Sequence, residues 1–392
     1  MILVEILLCL LALVTLVPVS VFFVQVLMAL PAHRDREIPP GKRPSVAVLV
    51  PAHNEASMIA DSLQSIVPQL AEEDRLLVVA DNCSDDTATV AARAGATVIE
   101  RRDMERPGKN HALEFGVRHL GESPPEIVII VDADCQVFDG AIDRLARTCH
   151  DAGRPVQSLY LMSAPEGAGL TAQVAAFAWI VKNWVRPLGM KRLGLPCQLM
   201  GTGTAFPWRA ISGFAIANSE MAEDYKFGID LALAGYPAVF CPDCTVTSCF
   251  PSKNTAENTQ RTRWEHGHLQ LIVREVPRLL LHAVVNRNIQ LLGLALDLLV
   301  PPLTFLALIL AASLALSLAY ALFAGVNWPL GASATALGLF ATAVALAWHG
   351  WGRKALPLAS MLSIPAYVLW KIPIYMRFLT NRQKVWIKTK RD

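Results

Sequence analysis

Two carboxylates end a short apolar run in the stretch Ile127-Val128-Ile129-Ile130-Val131-Asp132-Ala133-Asp134. A continuous run of β-branched residues is typical of a strand buried on both faces of a parallel sheet. Ligands of open α/β sheets bind at the carboxyl ends of the strands, so we expect Asp132 and Asp134 at a ligand-binding edge. Their oxygens suit Mg²⁺ or Mn²⁺, and a diphosphate can complete the coordination of either ion. This motif alone leaves one alternative open, a strand followed by an ordinary acidic turn.

Three more apolar runs precede that strand, at residues 46–50, 76–80 and 97–99, with helical patterns between them. Strands that alternate with helices predict an α/β fold with a mainly parallel, doubly wound sheet. No glycine-rich phosphate-binding fingerprint follows the first strand, which argues against a dinucleotide-dependent dehydrogenase. The later Gly201-Thr202-Gly203-Thr204 lacks the required spacing, and we interpret it as a close-packed turn near the ligand.

The apolar residues, 53% of the chain, are concentrated toward its two ends. Residues 1–30 form one apolar segment that is long enough to cross a bilayer as a helix. Two more spans are predicted at about 300–324 and 332–350, within a membrane region that covers residues 291–352. Residues 44–290 lie between these regions and have the composition of a soluble domain with one substantial core. We therefore predict a globular domain that is attached to the membrane by apolar segments at both of its ends.

Charge predicts the orientation of these segments. A basic cluster follows the first span: His33, Arg34, Arg36, Lys42 and Arg43. Because basic residues favour the cytoplasmic side, we expect the N-terminus outside and the globular domain in the cytoplasm, at a bacterial inner membrane that the chain crosses several times. A cleaved leader is the alternative, but the segment has no basic start and its apolar run exceeds what a leader needs.

The last apolar stretch, about 355–379, is interrupted by prolines and basic residues, namely Pro357, Pro365, Lys371, Pro373 and Arg377. A basic tail follows it, and a span here would place that tail outside, against the charge bias. For residues 353–392 we therefore predict an interfacial or re-entrant helix with a basic cytoplasmic tail. A fourth span is the alternative.

Neither charge nor cysteine content indicates a nucleic-acid or zinc protein. The formal net charge is only +2, and the basic residues cluster at the predicted membrane edges, so no nucleic-acid partner is predicted. Cys241, Cys244 and Cys249 hint at a zinc site, but no second cysteine pair with suitable spacing accompanies them. His266 and His268 could complete such a site only if the fold brought them together. We interpret the eight cysteines as reduced structural thiols.

Two further residues lie where a ligand could be bound. Asp81 ends the second strand, where its carboxylate could accept hydrogen bonds from N–H groups of a ligand; helix capping is the alternative. Lys109 follows a Pro-Gly turn just before a helix, where its charge and the helix N-terminus both favour phosphate. A solvated surface lysine is the alternative for that residue.

Glu223 and Asp224 open a helical pattern that ends at Gly235. Carboxylates in a first helical turn are stabilised as anions by the helix dipole, typically by about 0.3–1 kcal/mol. Capping alone would explain both residues. A carboxylate that stays ionised near a metal–diphosphate site could also take a proton from an acceptor hydroxyl.

Gln260, Arg263 and Trp264 fall on one face of a later helix, at positions i, i+3 and i+4. A guanidinium group pairs with phosphate in a bidentate manner, and an indole ring offers a flat apolar surface to a sugar. A basic amphipathic helix that rests on the membrane, with snorkelling arginines, is the alternative.

In order and spacing, these motifs resemble those of the membrane-bound family 2 glycosyltransferases, which include cellulose, chitin and hyaluronan synthases. The resemblance covers about residues 45–270 and rests on Asp81, Asp132-x-Asp134, Glu223-Asp224 and Gln260-x-x-Arg263-Trp264. It implies a GT-A fold (Rossmann-like, with a mainly parallel sheet), an NDP-sugar donor with UDP favoured, Mg²⁺ or Mn²⁺, and an inverting single displacement. Ala80 and Asn82-Cys83 depart from the Asp-Asp-Gly-Ser pattern often seen at the second strand, which obscures the nucleotide preference.

The resemblance also implies a role for each matching residue. Asp224 would be the general base, with Glu223 beside it, and Asp132 and Asp134 would hold the metal. Trp264 would stack on the acceptor sugar. The donor would be bound by Pro51, Ala52, Glu55, Asp81, Lys109, Asp132, Gln260 and Arg263.

The implied activity is transfer of a hexose to a lipid-linked or growing oligosaccharide acceptor, in exopolysaccharide or glycolipid assembly. Membrane lipid and other proteins of polysaccharide assembly are the implied partners. The Gln-x-x-Arg-Trp motif favours a processive polysaccharide synthase, but three or four spans are few for a polysaccharide channel, so processivity stays open. A non-catalytic membrane scaffold or export component is the alternative of a different class. The complete set of carboxylates argues against it.

Overall fold

The computed structural model describes residues 2–32, 38, 41–164, 167, 169–217, 222–250, 254–361, 363–373 and 375, and only the backbone of residues 2, 254–262 and 370. The chain divides into two compact units. The sheet unit comprises His33–Ser163 and Pro196–Cys249. The helical unit comprises Met1–Ala32, Ala164–Leu195 and Phe250–Asp392.

The sheet unit contains eight strands: β1 (Val46–Ala52), β2 (Arg75–Asp81), β3 (Thr97–Arg101), β4 (Ile127–Ile130), β5 (Gln136–Val137), β6 (Val156–Ser163), β7 (Thr204–Pro207) and β8 (Val239–Cys249). Their order across the sheet is β3-β2-β1-β4-β7-β6-β8-β5. The pairs β1–β2, β2–β3, β1–β4 and β6–β8 are parallel, whereas β4–β7, β6–β7 and β5–β8 are antiparallel. The predicted α/β fold with a mostly parallel sheet is confirmed.

Helices are numbered along the whole chain. Those of the sheet unit are α2 (Ile59–Ile66), α3 (Thr87–Arg93), α4 (Lys109–Leu120), α5 (Ala141–Ala152), α8 (Trp208–Ser212) and α9 (Glu223–Leu233). Those of the helical unit are α1 (Ile2–Ala29), α6 (Leu170–Ile180), α7 (Arg186–Arg192), α10 (Asn254–Val285), α11 (Ile289–Leu299), α12 (Leu303–Ala324), α13 (Trp328–Ala347), α14 (Leu358–Met361) and α15 (Ile364–Trp370).

The four predicted strands correspond to β1–β4, and all residues of β1 and β4 are buried, as expected of strands covered on both faces. The chain adds β2 and then β3 on one side of β1, and it then returns to place β4 on the other side. Such a reversal creates a crevice at the carboxyl ends of the two central strands, which is the usual ligand site of this architecture. Asp132 follows β4 at this position.

Within the described part of the helical unit, three helices are long and apolar enough to cross a membrane: Leu3–Ala29, Leu303–Ala324 and Trp328–Gly352. The last of these begins earlier than the predicted residue 332. Pro329 lies in its first turn, where a missing N–H group costs no helical hydrogen bond. The stretch predicted at about 355–379 contains the short helices α14 and α15, and residues 376–392, with most of the basic tail, lie outside the described residues.

A buried polar cluster connects three helices of this unit. Arg186 donates to the Asp297 carboxylate at 2.8 Å and to the Gln25 side-chain oxygen at 3.0 Å. Gln25 in turn donates to Asp297 at 2.7 Å. Each polar group therefore has a partner inside the unit, which a buried charge requires. The cluster fixes α1, α7 and α11 to one another.

Candidate active site

The loops that follow β1 and β2 are joined by hydrogen bonds. The backbone N–H of Glu55 donates to the Thr87 hydroxyl at 2.8 Å, and the Asn54 side-chain amide donates to the Ser84 hydroxyl at 3.1 Å. Asn54 and Asn82 both have positive φ angles, 55° and 51°, which turn the chain sharply after each strand. The predicted donor-binding residues at the ends of these two strands, Pro51, Ala52 and Asp81, therefore lie at one edge of the sheet, and Glu55 lies in the loop that follows β1.

Asp81 is paired with an arginine that sequence reasoning missed. Arg101, the last residue of β3, donates to the Asp81 carboxylate at 2.6 Å, and both side chains are buried. Arg101 also contacts the Asp103 carboxylate at 2.9 Å and the Arg106 carbonyl at 2.8 Å. The capping alternative for Asp81 is wrong, because this residue ends β2 and does not begin a helix. A basic residue at the end of the neighbouring parallel strand was the available sequence signal.

The paired aspartates form a possible metal site. Ligand atoms of Asp132, Asp134 and Cys135 all lie within 4.8 Å of one another. Burial, together with the carboxylates of Asp134 and Asp132, raises the pKa of the Cys135 thiol well above its ordinary value. The thiol is therefore protonated at neutral pH, and two carboxylates remain as donors. Hard oxygen donors of this kind fit Mg²⁺ or Mn²⁺.

Lys109 is the first residue of α4 and points to the paired aspartates. Its ammonium group is ion-paired with Asp132 and donates to the Gly201 carbonyl at 2.7 Å. Burial acts to lower the pKa of Lys109, but the carboxylates of Asp132 and, to a smaller extent, Asp224 outweigh it and raise that pKa above its usual value. The alternative of a solvated surface lysine is wrong, because the side chain is only 33% exposed and has these partners.

The turn at Gly201–Gly203 contacts both groups of carboxylates. The Thr202 hydroxyl accepts from the Asp132 backbone N–H at 2.9 Å. Gly201 has a φ of 85°, and a Cβ atom built on it would lie 3.2 Å from a carboxylate oxygen of Asp224. The close packing predicted for this turn is thus observed. This turn therefore connects three side chains in one cluster of contacts: Lys109, Asp132 and the predicted base Asp224, which lies in the first turn of α9.

The remaining predicted residues belong to the helical unit. Arg263 and Trp264 lie on α10, and the Trp264 ring packs at 5.0 Å from that of Trp179, which contacts Phe250 at 5.9 Å. The side chain of Gln260 lies outside the described residues. The roles of these residues in donor and acceptor binding stay predictions.

In the Cys241 region, Cys241 and Cys244 are buried, whereas Cys249 is exposed. The sulfur atoms of Cys241 and Cys244 lie 3.4 Å apart in the buried part of β8. Across the described residues, three metal-ligating side chains come together only at Asp132, Asp134 and Cys135. The zinc interpretation of the Cys241 region therefore gains no support.

Comparison with known proteins agrees with the family resemblance. A family model described as glycosyltransferase like family 2 matches residues 43–267, more than half of the chain, and this range contains every residue of the motifs above. The probable glycosyltransferase YdaM of Bacillus subtilis is 26% identical over 243 residues, which are 59% of this chain and 57% of that protein. A 4,4'-diaponeurosporenoate glycosyltransferase of Staphylococcus aureus is 37% identical over 93 residues, 23% of this chain and 24% of that protein.

The chain thus spans about half, or less, of the length of these relatives. Among solved structures, the mannosyltransferase PcManGT of Pyrobaculum calidifontis, in complex with GDP-Man and Mn²⁺, is similar with a TM-score of 0.56. The alignment covers 97% of this chain and 100% of that one at 20% identity, which indicates a shared fold. With the family model matched across the carboxylate motifs, the chain belongs to glycosyltransferase family 2.

Proposed function

We propose that this protein is a membrane-bound, inverting glycosyltransferase that moves a sugar from an NDP-sugar to a lipid-linked or growing glycan acceptor. The observation that carries the proposal is the cluster in which Asp132, Asp224 and Lys109 contact one turn, at Gly201–Thr202, with Asp134 beside Asp132. A non-catalytic scaffold would have no need of this cluster. Half-buried carboxylates this close together repel one another, and a purely structural domain gains nothing from that repulsion.

In the proposed reaction, the acceptor oxygen forms a bond to the anomeric carbon of the sugar, and the bond from that carbon to the diphosphate breaks. Asp224 takes the proton of the acceptor hydroxyl as the general base. Asp132 and Asp134 would hold a divalent cation, which, when bound, neutralises charge on the leaving diphosphate. Lys109 adds a fixed positive charge on the same side.

The donor pocket would be formed at the ends of β1 and β2. Asp81, held in place by Arg101, offers a carboxylate acceptor to N–H groups of the base. A UDP-sugar is favoured by resemblance, whereas the similar structure from Pyrobaculum calidifontis contains GDP-Man, so both nucleotides belong in the test. Gln260 and Arg263 would bind the diphosphate, and Trp264 would stack on the acceptor.

A lipid-linked acceptor is supported by the three candidate spans. Processive synthesis is the second candidate, favoured by the Gln-x-x-Arg-Trp motif alone. Product length on a defined acceptor separates the two.

We further propose that the chain crosses a bacterial inner membrane three times and that the sheet unit is cytoplasmic. Ser317 and Ser333 share a hydrogen bond of 3.0 Å across α12 and α13, and only three residues connect these helices. The two helices are therefore antiparallel, and the end of α13 returns to the side on which α12 begins. Arg353 and Lys354 follow there, which favours the cytoplasmic side.

The segment after α13 stays near that same side. Its Lys371 is ion-paired with Glu265 on α10, and its Tyr375 is hydrogen-bonded to Thr304, in the first turn of α12. Helices α14 and α15 have four and seven residues, whereas a span needs about 20. These contacts support an interfacial segment and not a fourth span.

The test uses full-length protein purified in detergent, with UDP- and GDP-sugars, Mn²⁺ and a lipid extract of bacterial membranes as acceptor. We expect one donor to give sugar incorporation into the lipid fraction with release of the nucleoside diphosphate. Asp224→Asn should reduce transfer by about 10²–10⁴-fold, the usual contribution of a general base, while donor affinity changes little. Asp230→Asn, on the same helix and outside the cluster, is the matched control.

Near-normal transfer by the Asp224→Asn variant would remove the base assignment. Failure of every NDP-sugar to bind or react would remove the proposed function as a whole.

A further inference from the structure

The carboxylate cluster contains one ammonium group, and its position is informative. Lys109 contacts Asp132, the residue that would also bind a divalent cation. Its second bond, to the Gly201 carbonyl at 2.7 Å, fixes the ammonium group beside the turn that packs against Asp224. The ammonium group of Lys109 is therefore already paired with one of the two carboxylates that would bind the cation.

A cation and an ammonium group on the same carboxylate repel each other. Two cationic groups on one carboxylate would lie only a few ångströms apart, and at an effective dielectric constant of about 20 their repulsion would be large compared with thermal energy. Before a donor binds, the positive charge of Lys109 should therefore lower the affinity of Asp132 and Asp134 for a divalent cation. A donor diphosphate changes this balance, because its oxygens can accept from Lys109 and ligate the cation at the same time.

We propose that Lys109 acts as an electrostatic gate on the metal site: in the free protein it holds Asp132 and weakens cation binding, so that cation and donor diphosphate bind together. The inference rests on the proposed function and adds the order of binding to it. Lys109 is on this view a positioning residue for Asp132 as well as a ligand for phosphate. Loss of its charge should tighten cation binding, although it weakens donor binding.

The experiment measures Mn²⁺ binding to purified full-length protein by the loss of the free-ion electron paramagnetic resonance signal, with and without UDP or GDP. For the wild type we expect weak binding of Mn²⁺ alone and at least tenfold tighter binding with the preferred nucleotide. Linkage requires the same factor for the effect of Mn²⁺ on nucleotide affinity. Lys109→Met should bind Mn²⁺ alone at least tenfold more tightly than the wild type, and the nucleotide should then add threefold or less.

Two variants serve as controls. Lys109→Arg keeps the charge and should keep weak binding of Mn²⁺ alone. Lys226→Met removes a lysine that is paired with Asp230 on α9, outside the cluster, and gives the same change in net charge. If Lys109→Met does not give a folded protein, as judged by its melting transition, Lys109→Gln replaces it with a neutral side chain that can still donate to Gly201.

The gate is refuted if folded, neutral variants at position 109 bind Mn²⁺ alone no more tightly than the wild type. It is also refuted if Lys226→Met gives the same gain. Neither result would affect sugar transfer by the wild type. A wild-type protein that binds no nucleotide in any condition would instead refute the proposed function.

Discussion

Gly203→Ala should destabilise the turn on which the carboxylate cluster depends. Gly203 has a φ of 62°, and a Cβ atom at this position would lie 2.1 Å from the Ser158 hydroxyl oxygen and 2.9 Å from a methyl carbon of Val246. Both neighbours are buried in adjacent strands, β6 and β8, so neither can move away freely. The turn also supplies Gly201 and Thr202 to Lys109 and Asp132.

Two contributions give the size of the effect. A left-handed conformation costs a residue with a Cβ atom about 1–2 kcal/mol, and overpacking of a dense core costs about 1–3 kcal/mol. Their total of about 2–5 kcal/mol is a large part of the roughly 5–15 kcal/mol by which a domain is stable. For a unit of this size, the melting temperature should fall by roughly 4–20 °C.

Ser158→Ala provides the matched test. Within the described residues, the buried Ser158 hydroxyl has no hydrogen-bond partner, so its removal alone should be neutral or slightly stabilising. In the Gly203→Ala background it removes the 2.1 Å clash and should recover part of the lost stability, leaving the backbone cost and the Val246 contact. Melting of the four proteins in detergent, followed by circular dichroism, measures this double-mutant cycle. A Gly203→Ala protein within about 0.5 kcal/mol of the wild type would refute the reasoning, and so would absence of recovery in the double variant.

Two further outcomes are expected. Burial, with the nearby charges of Lys182 and Arg186, lowers the pKa of His268 from 6.5 to about 3. The neutral imidazole therefore contributes its full stability above pH 6.5, and this contribution is lost as the pH falls toward 3. At pH 5 the free energy of unfolding should be lower by about 2 kcal/mol, at about 1.4 kcal/mol per pH unit. The melting temperature of the wild type should therefore fall more between pH 7.5 and 5 than that of His268→Asn, and equal slopes would contradict this origin. Reporter fusions test the proposed topology. After Asp392, on the proposed cytoplasmic side, green fluorescent protein should fluoresce and alkaline phosphatase should be inactive, and fusions at residue 326 should give the reverse. Active phosphatase after Asp392 would indicate a fourth span.

Several features of the site could be predicted because they depend on short-range patterns. The strands β1–β4 are continuous apolar runs, and a run of this kind specifies a buried strand wherever it occurs. The ends of these strands carry Asp81, Asp132 and Asp134, and parallel pairing brings such ends to one edge. The other four strands were not predicted, because none of them is a continuous apolar run. β5 has only two residues, β6 contains Gln157 and Ser158, β7 begins with Thr204, and β8 is interrupted by an irregular segment opposite Ser158–Leu159.

The local pattern of apolar runs and polar ends thus specified the α/β fold, the three apolar helices and the residue types that a metal–diphosphate site requires. Contacts between distant segments decided the rest: the pairing of Asp81 with Arg101, the ion pair of Lys109 with Asp132, and the packing of Gly201 against Asp224. No local sequence pattern predicts these pairs, because each one joins residues from different elements, and the distance between those elements depends on how the whole sheet folds.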